Sequence, residues 1–339
     1  MTTLNVALIG AGFIARTHLA AWTALGAQVR IYSTDGQATS LAAEFGALPA
    51  PSLSQALQDA DIADICTPTA THRQIALDAF HAGAHVVCEK PLALNTEDAR
   101  AMTLAAKQAG RHLLPAHVVR YFPAYARARQ TIREGGLGRI AVARFTRSGR
   151  YPTWSPWFAD AALSGGILTD QMLHDIDIAR WLFGDVVRIH AAQGGHHTAL
   201  AHRSPVAAGS ATLTHACGII SHVQGLWGPP STQFRYTFHI AGSDGTLTHD
   251  SLAHPALRID TSAQGETEGV PTGDWGEDPF LAQLRDFATT CTGGPAPRVS
   301  TEDGVAAVRL AEAARTSAAT GRAIELTPHT APLAEEIAP

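Results

Sequence analysis

The tripeptide Glu89-Lys90-Pro91 places a lysine directly after the apolar run Ala84-His85-Val86-Val87-Cys88, which is typical of a parallel strand. Open α/β sheets bind their ligands at the carboxyl ends of the strands, so we expect Lys90 to face a ligand. An ammonium group there can stabilise negative charge that develops on a substrate oxygen. The residues alone leave an alternative, in which Lys90 forms a salt bridge or a turn at the strand end.

Asp170 and His174 form a second candidate pair, in a helical segment that follows Gly165-Gly166. A separation of four predicts that both side chains lie on one helical face, which Asp177 continues. Histidine can take a hydroxyl proton near neutral pH, and a nearby carboxylate can orient the substrate or hold the imidazole. The structural alternative is that Asp170 caps or solvates the helix while His174 packs in a core.

A glycine-rich turn follows the first apolar run, Leu4–Ile9, and opens a helical pattern. Gly10 permits a tight turn, Gly12 leaves room for a pyrophosphate at the backbone, and Ala15 lets the helix approach the strand. The alternative is a tight turn that binds nothing. We predict that a dinucleotide binds at Gly10, Gly12, Phe13, Ile14 and Ala15.

The end of the second predicted strand, Gln28–Tyr32, bears on the choice between NAD and NADP. NAD binders place an acidic residue there to receive the ribose 2′-hydroxyl, whereas NADP binders often offer an arginine. Here Ser33 stands in that position, no Lys or Arg follows, and Asp35 could reach a hydroxyl. We predict NAD or NADP and favour NAD; alternatively, Asp35 only begins the Asp35-Gly36 turn.

The order of the predicted elements indicates an α/β protein of two domains. Strands and helices alternate up to Leu113–Ala116, which predicts a parallel sheet in an NAD(P)-binding domain over residues 1–119. After helices near 123–134 and 167–183, five strands follow one another, which predicts a largely antiparallel sheet in an α+β domain over residues 120–326. The predicted strands are Val186–Gln193, Gly209–Leu213, Ile219–Trp227, Phe234–Ala241 and Thr246–Asp250. Helices near 279–290 and 301–320 close that domain, and we expect a loosely held tail at 327–339.

Composition excludes several classes of partner. The 339 residues are 45% hydrophobic and carry a net charge of −5 without long runs of one sign, so we expect no nucleic-acid partner. Four cysteines without a C-x-x-C pair are typical of reduced thiols. With no signal-like N-terminus and no apolar stretch of bilayer length, we expect a cytoplasmic protein without membrane segments.

Six motifs occur in an order that resembles the Gfo/Idh/MocA family of glucose-fructose oxidoreductases and inositol dehydrogenases, and they span nearly the whole chain. The motifs are Gly10-x-Gly12-x-x-Ala15, Thr67-Pro68-x-x-x-His72, Cys88-Glu89-Lys90-Pro91, Arg120-x-x-Pro123 with Gly135/Gly136-Leu137-Gly138, Gly165-Gly166-x-x-x-Asp170-x-x-x-His174-Asp175-x-Asp177, and Ser317-x-x-x-Gly321.

The resemblance implies an N-terminal Rossmann domain and a C-terminal domain whose open-faced sheet often serves in oligomerisation. It also implies NAD(P)-dependent oxidation or reduction of sugars, polyols or related cyclic alcohols. Lys90 would then donate to the reacting oxygen, His174 would be the general base for oxidation, and Asp170 would orient the substrate and the catalytic groups.

The resemblance further implies that Thr67, Pro68, His72 and Glu89 line the cofactor, and Pro91 is a candidate for a cis peptide bond. The chain departs from the family pattern in two places. Ser33 replaces the acidic residue after the second strand, and Gln171-Met172-Leu173 is bulkier than the glycine-containing version frequently seen, so the pocket could be shaped differently.

Candidate substrate residues are Arg120, Tyr151, Trp154 and Trp157, because aromatic faces can stack on a sugar ring and an arginine can hold a carboxylate or hydroxyls. The alternative for them is packing between domains. Residues 194–197, Gly-Gly-His-His, with His190 and His202, suggest a metal, but no Cys or acidic residue is near, so we predict none.

The sequence favours an oxidoreductase that transfers hydride between nicotinamide and a secondary alcohol or carbonyl of a sugar, an inositol-like polyol or a cyclic diol. The alternatives are a glycosidase or lyase that retains NAD and oxidises its substrate transiently, and a non-enzymatic nucleotide-sensing regulator. We expect a homodimer or homotetramer, because the second sheet should expose one broad face.

Overall fold

The computed structural model describes residues 3–196, 205–254, 256–261, 267–270 and 277–327. The described strands are β1 Asn5–Ile9, β2 Gln28–Tyr32, β3 Leu48–Pro49, β4 Ile62–Ile65, β5 His85–Glu89, β6 Leu113–Ala116, β7 Ile140–Arg150, β8 Val186–His196, β9 Val206–His215, β10 Ile220–Gly228, β11 Arg235–Gly242, β12 Gly245–Asp250, β13 Leu257–Thr261, β14 Thr267–Val270 and β15 Ile324–Glu325.

The described α-helices are α1 Phe13–Ala24, α2 Ala38–Phe45, α3 Leu53–Leu57, α4 His72–His81, α5 Thr96–Ala109, α6 Pro123–Arg133, α7 Ala161–Ser164, α8 Gly166–Asp170, α9 Leu173–Phe183, α10 Pro279–Cys291 and α11 Thr301–Thr320. Short 3₁₀ helices cover Thr69–Thr71, Val118–Tyr121 and Pro156–Ala159. Within the described ranges, no helix combines the length and the apolar character needed to cross a bilayer.

The chain forms two compact units, Met1–Tyr121 with Glu277–Val308, and Phe122–Gly276 with Arg309–Pro339. This differs from the expected division, which assigned residues 120–326 to the second domain. Leu284, Phe287 and Val299 pack into a core of the first unit. The apolar face of a helix such as α10 shows that it packs against a core but does not show which core.

The first unit is built on six parallel strands in the order β3-β2-β1-β4-β5-β6. The strand order reverses beside β1, which pairs with β2 on one side and with β4 on the other. Ligands bind at such a switch point, at the carboxyl ends of the strands. The turns that follow β1, β4 and β5 begin at that edge and carry Gly10, Thr67 and Lys90.

Local sequence signals explain the helices that cover this sheet. The side chain of Asn95 accepts a hydrogen bond from the Asp98 N–H at 2.8 Å and begins α5, as its sequence predicts. Gly110 ends the helix in the left-handed conformation, with φ 63°. Two buried clusters fill the faces of the sheet: Ala7 and Ile9 of β1 belong to one, Val6 and Leu8 to the other.

The second unit holds a nine-stranded sheet in the order β14-β13-β12-β11-β7-β10-β9-β8-β15. Of its described strand pairs, β7 with β10 is parallel and the others are antiparallel. The predicted fold class is therefore confirmed. The central strand β7 was not predicted, because its buried face carries Arg147 beside Phe145 and does not show an apolar alternation.

Candidate active site

The glycine-rich turn has the geometry of a phosphate cradle. Gly10 adopts φ +109°, where a Cβ would collide with the carbonyl oxygen of Cys66. Gly12 is the N-cap of α1 and makes no side-chain capping hydrogen bond, and a Cβ on it would meet nothing within 4 Å among the described residues. Phe13 is 81% exposed beside it. The backbone N–H groups at this helix start therefore fit the pyrophosphate of a dinucleotide, while buried Ala15 keeps the helix close to the strand.

Ser33 and Asp35 are bound to each other after β2. The Ser33 hydroxyl donates to Asp35 Oδ1 at 2.6 Å, and the same oxygen accepts the Gln37 N–H at 3.0 Å. The hydroxyl bond is the largest cause that lowers the pKa of Asp35, so the exposed carboxylate is held ionised. A fixed anion at this strand end fits a ribose hydroxyl and disfavours an added phosphate.

His72 ties together the turns that follow β4 and β5. Its Nε2 lies 2.8 Å from the carbonyl oxygen of Thr67, and its Nδ1 lies 3.0 Å from that of Pro91. Burial lowers the pKa of this imidazole. His72 is 1% exposed whereas Pro68 is exposed, so the structure gives Pro68 a surface position and His72 an internal one.

Lys90 is the one residue of residues 86–93 that is not buried. Its peptide bond to Pro91 is cis, as the sequence suggested. Glu89 turns inward: Glu89 Oε2 accepts the Lys90 N–H at 3.0 Å, and Oε1 lies 3.2 Å from Nε2 of His18. Sequence reasoning missed His18, although it follows Ala15 by three residues on the helix that the glycine turn begins.

Asp170 and His174 do not lie on one continuous helix, which corrects the sequence prediction. Asp170 ends α8 and His174 belongs to α9, with a turn at Gln171 and Met172 between them. The Met172 N–H donates to the carbonyl oxygen of Ile167, five residues back, at 2.9 Å. That wider turn inserts a residue into the helical ladder, so i,i+4 spacing no longer defines a shared face.

The exposure of the segment nevertheless distinguishes the predicted pair. Between Ser164 and Ala179, Asp170 and His174 are the two residues that are not buried. Asp177 is 1% exposed, so it does not continue a solvent-facing row as we expected. The second unit therefore presents one carboxylate and one imidazole at the surface of a buried backbone.

A buried ion pair anchors the segment beside His174. Asp175 accepts two hydrogen bonds from Arg147 of β7, each at 2.9 Å, and neither side chain is more than 3% exposed. Such a bidentate pair fixes both distance and orientation. The pair therefore ties the first turn of α9 to the central strand of the sheet.

Glycines in the sheet accommodate the bulky residues between Asp170 and His174. A Cβ on Gly225 would lie 2.5 Å from Cγ of Met172, and a Cβ on Gly209 would lie 2.7 Å from its Sδ. Gln171 packs nearby, with its Oε1 3.1 Å from that Gly225 Cβ position. The large side chains of this segment are thus packed inward against the strands.

The four substrate candidates occupy different environments. Arg120 is 1% exposed and forms an ion pair with Asp303 at 2.9 Å, so its guanidinium is engaged inside the first unit. Tyr151 is 5% exposed. Trp154 is 58% exposed, and Trp157 stacks on Phe158 at 3.9 Å between ring centroids. Trp154 and Trp157 retain surfaces that a ligand could contact.

Two of the histidines considered for a metal, His197 and His202, lie outside the described residues. Elsewhere, His18, Asp64 and Cys66 lie close enough together to be considered as ligands. Nδ1 of His18 is 2.9 Å from Oδ2 of Asp64, whereas two ligands of one tetrahedral zinc ion lie about 3.3 Å apart. The contact is that of a hydrogen bond.

Comparison with known proteins identifies the family of this chain. A family model described as "Oxidoreductase family, NAD-binding Rossmann fold" matches residues 4–117, and the C-terminal domain model of the same family matches residues 125–248. The chain is 29% identical to D-apiose dehydrogenase of Paraburkholderia graminis, over 94% of this chain and 89% of the relative.

It is 30% identical to 1,5-anhydro-D-fructose reductase of Ensifer adhaerens, over 79% of this chain and 80% of the relative. A solved structure of levoglucosan dehydrogenase in complex with NADH and L-sorbose superimposes with a TM-score of 0.85 and 26% identity, covering 97% of this chain and all of that one. The chain therefore belongs to the Gfo/Idh/MocA family of NAD-binding oxidoreductases, whose named relatives act on sugar and polyol hydroxyls.

Proposed function

We propose that this protein is an NAD-dependent dehydrogenase that oxidises a secondary hydroxyl of a sugar or an inositol-like polyol. The observation that carries the proposal is the shared exposure of three side chains. Lys90, Asp170 and His174 are each partly exposed within segments that are otherwise buried. Ionisable groups held at fixed positions are what proton transfer and charge stabilisation require.

Each of the three side chains has a distinct task in the proposed reaction. The imidazole of His174 takes the hydroxyl proton, and the ammonium group of Lys90 donates a hydrogen bond to the oxygen as its negative charge grows. The carboxylate of Asp170 orients a neighbouring hydroxyl and the catalytic groups. NAD, when bound at the Gly10–Ala15 turn, supplies the acceptor for the hydride that leaves the carbinol carbon.

The proposed substrate class follows from the surfaces that the second unit offers and from the relatives. Trp154 and Trp157 provide aromatic faces on which the apolar face of a sugar ring can stack, and Arg150 lies over the ring of Trp154. The named relatives act on apiose, levoglucosan and inositol, which all carry secondary hydroxyls. We propose that the substrate is an uncharged carbohydrate about as large as apiose, levoglucosan or inositol.

Substitution of the catalytic candidates tests the assignment. We expect Lys90→Met and His174→Asn each to lower kcat by about 10²- to 10⁴-fold, because each removes a group that acts in the transition state. Affinity for NAD, measured by calorimetry, should stay within about threefold of wild type, because neither group is needed for pyrophosphate binding. Formation of NADH is followed by absorbance with apiose, levoglucosan and myo-inositol as substrates.

Matched controls are Lys107→Met in the last turn of α5 and His81→Asn at the end of α4, which lie outside the proposed site. Both should turn over like wild type. Undiminished turnover in Lys90→Met or His174→Asn would contradict the proposal. Consumption of a glycoside without NADH accumulation would instead indicate transient oxidation by retained NAD, and the absence of any product would favour a nucleotide-sensing regulator.

A further inference from the structure

A buried ionic cluster lies beneath the turn that carries Lys90. His18 of α1 is fully buried, and its Nδ1 lies 2.9 Å from Oδ2 of Asp64 on β4. The indole N–H of Trp22, one turn later on α1, donates to the same carboxylate oxygen at 2.7 Å. Asp64 is therefore fixed by two donors from one helix.

The other face of the imidazole leads directly to Lys90. Nε2 of His18 lies 3.2 Å from Oε1 of Glu89, and the second oxygen of Glu89 accepts the backbone N–H of Lys90 at 3.0 Å. A continuous chain of polar contacts thus runs from Asp64 through His18 and Glu89 to the main chain of Lys90. Each link joins a different element: β4, α1 and β5.

Protonation of the imidazole places a cation between the two carboxylates of the cluster. Burial opposes protonation of His18, but Asp64 and Cys66 raise its pKa well above the usual value. Burial likewise raises the pKa of Glu89, but the neighbouring imidazole of His18 and the charge of Lys90 outweigh it and leave the pKa lowered. Burial raises the pKa of the Cys66 thiol to about 12, so it stays neutral. The imidazolium of His18 therefore lies between the carboxylates of Asp64 and Glu89, and a buried charge is tolerated when it is paired in this way.

We infer that His18, held by Asp64, is a positioning residue for Lys90: it pins the carboxylate of Glu89, and Glu89 fixes the main chain from which the lysine projects. This inference rests on the proposed catalytic role of Lys90. Helix α1 then connects the two turns, because it begins at the glycine-rich turn and carries His18, whose contact with Glu89 leads to the lysine turn, in its second turn. Displacements of about 1 Å at a reacting group can cost 10²-fold in rate, so such a clamp has a measurable effect.

The clamp predicts a change in the pH profile when His18 is replaced by Gln. The titratable groups that face Glu89 are His18, Lys90, His72, Cys66, Cys88 and Asp64. Without the imidazolium cation, the buried carboxylates of Asp64 and Glu89 no longer have a positive charge between them. The pKa of Glu89 therefore rises. A protonated Glu89 no longer holds the Lys90 N–H through a carboxylate. The acid limb of the profile, which is the fall of kcat as the pH is lowered, should therefore begin at a higher pH than in wild type.

The experiment compares His18→Gln with Trp22→Phe, in full-length protein with NAD and the substrate found above. Both variants remove one hydrogen bond to Asp64 from α1, but the phenylalanine variant leaves the His18–Glu89 contact intact. We expect His18→Gln to lower kcat by about 10- to 100-fold, to leave KM and NAD affinity within about threefold, and to move the acid limb toward neutral pH. Trp22→Phe should keep the wild-type kcat and acid limb, whatever its thermal stability.

Equal losses of kcat in both variants without a shift of the acid limb would overturn the inference, because that outcome indicates general destabilisation. A wild-type profile for His18→Gln would overturn it as well. If His18→Gln does not fold, Glu89→Gln provides the second test, since it keeps the His18–Asp64 pair. The glutamine does not titrate, so kcat should fall about as much while the acid limb stays where it is in the wild type. Wild-type kcat in Glu89→Gln would overturn the inference. Wild-type turnover in Lys90→Met would contradict the proposed function instead, so the two failures are distinguishable.

Discussion

A partly exposed ionisable side chain on an otherwise buried segment is the property shared by Lys90, Asp170 and His174. The buried neighbours fix the backbone, so each ionisable group projects from a rigid base. The neighbouring residues are charged as well, but Glu89 and Asp175 turn inward and are satisfied by His18 and by Arg147. Next to Lys90 and next to His174, an inward carboxylate therefore anchors the main chain.

His215 of β9 is a buried histidine whose role is structural, and it gives a pH prediction. Its Nδ1 lies 2.9 Å from the Gly184 carbonyl oxygen and its Nε2 2.9 Å from the Ser221 hydroxyl, and burial lowers its pKa to about 4. Below the unfolded value of about 6.5 the unfolded chain binds a proton that the folded one does not. Stability from His215 is therefore complete above pH 6.5 and is lost as pH falls toward 4, by at most ~3 kcal/mol.

Urea unfolding of wild type and His215→Asn at several pH values between 7 and 4.5 measures this contribution. The asparagine keeps a donor for Gly184 but does not titrate, so its unfolding free energy should fall less steeply with acidification. The control is His81→Asn at the end of α4, which reports the effect of replacing an exposed histidine outside the core. Identical slopes for wild type and His215→Asn would show that the folded and unfolded pKa values of His215 do not differ.

At the scale of elements, the wide turn between α8 and α9 depends on the sheet beneath it. Met172 fills the space over Gly209 and Gly225, and Arg147 holds Asp175 at the start of α9. The glycines of the strands thus leave room for the Met172 side chain, and Arg147 orients the start of α9 through Asp175. The positions of Asp170 and His174 follow from these contacts across the sheet and not from helical spacing.

Gly225→Ala tests this dependence, because the added Cβ would lie 2.5 Å from Cγ of Met172. We expect kcat to fall by about 10- to 100-fold as the Asp170–His174 turn is displaced, with NAD affinity unchanged. The double variant Gly225→Ala/Met172→Ala removes the collision. Its kcat should therefore be close to that of Met172→Ala alone, which means that Gly225→Ala costs little once the Met172 side chain is gone. Additive losses in the double variant would contradict direct packing.

Prediction from the sequence succeeded where local signals determine the structure. The strand-glycine-helix order at Gly10 and the cap at Asn95 with its glycine stop at Gly110 each identify an element by themselves. It did not succeed where a partner distant in sequence decides. Strand β7 was not recognised, because Arg147 interrupts its apolar alternation and is buried only by virtue of its ion pair with Asp175. Likewise, α10 belongs to the first unit because it packs on a core formed by residues such as Trp22. His18 was missed for the same reason, because the contacts that define its position are with Asp64 and Glu89, which are distant in sequence.

At the scale of the whole molecule, the second sheet has one buried face and one exposed face, and side chains alternate between the two along its strands. On β10 the residues Ile220 and Leu226 are 40% and 36% exposed, while Ser221, Val223 and Trp227 on the other face are buried. Neighbouring β9 and β7 show the same alternation in burial. Exposed apolar side chains on a broad sheet are typical of a face that a second subunit covers, and stable interfaces bury about 800 Å² per partner.

We predict a homodimer or homotetramer in solution, assembled through this face. Light scattering of the wild-type protein should give two or four times the 35.7 kDa chain mass. Leu226→Glu introduces a charge into the predicted interface and should shift the mass toward the monomer, because an unpaired carboxylate is costly to bury. Leu104→Glu on α5 of the first unit is the control: Leu104 is 56% exposed, and its substitution should leave the mass unchanged. A wild-type protein that remains monomeric at micromolar concentration would contradict the prediction, and an unaltered oligomer in Leu226→Glu would place the interface elsewhere.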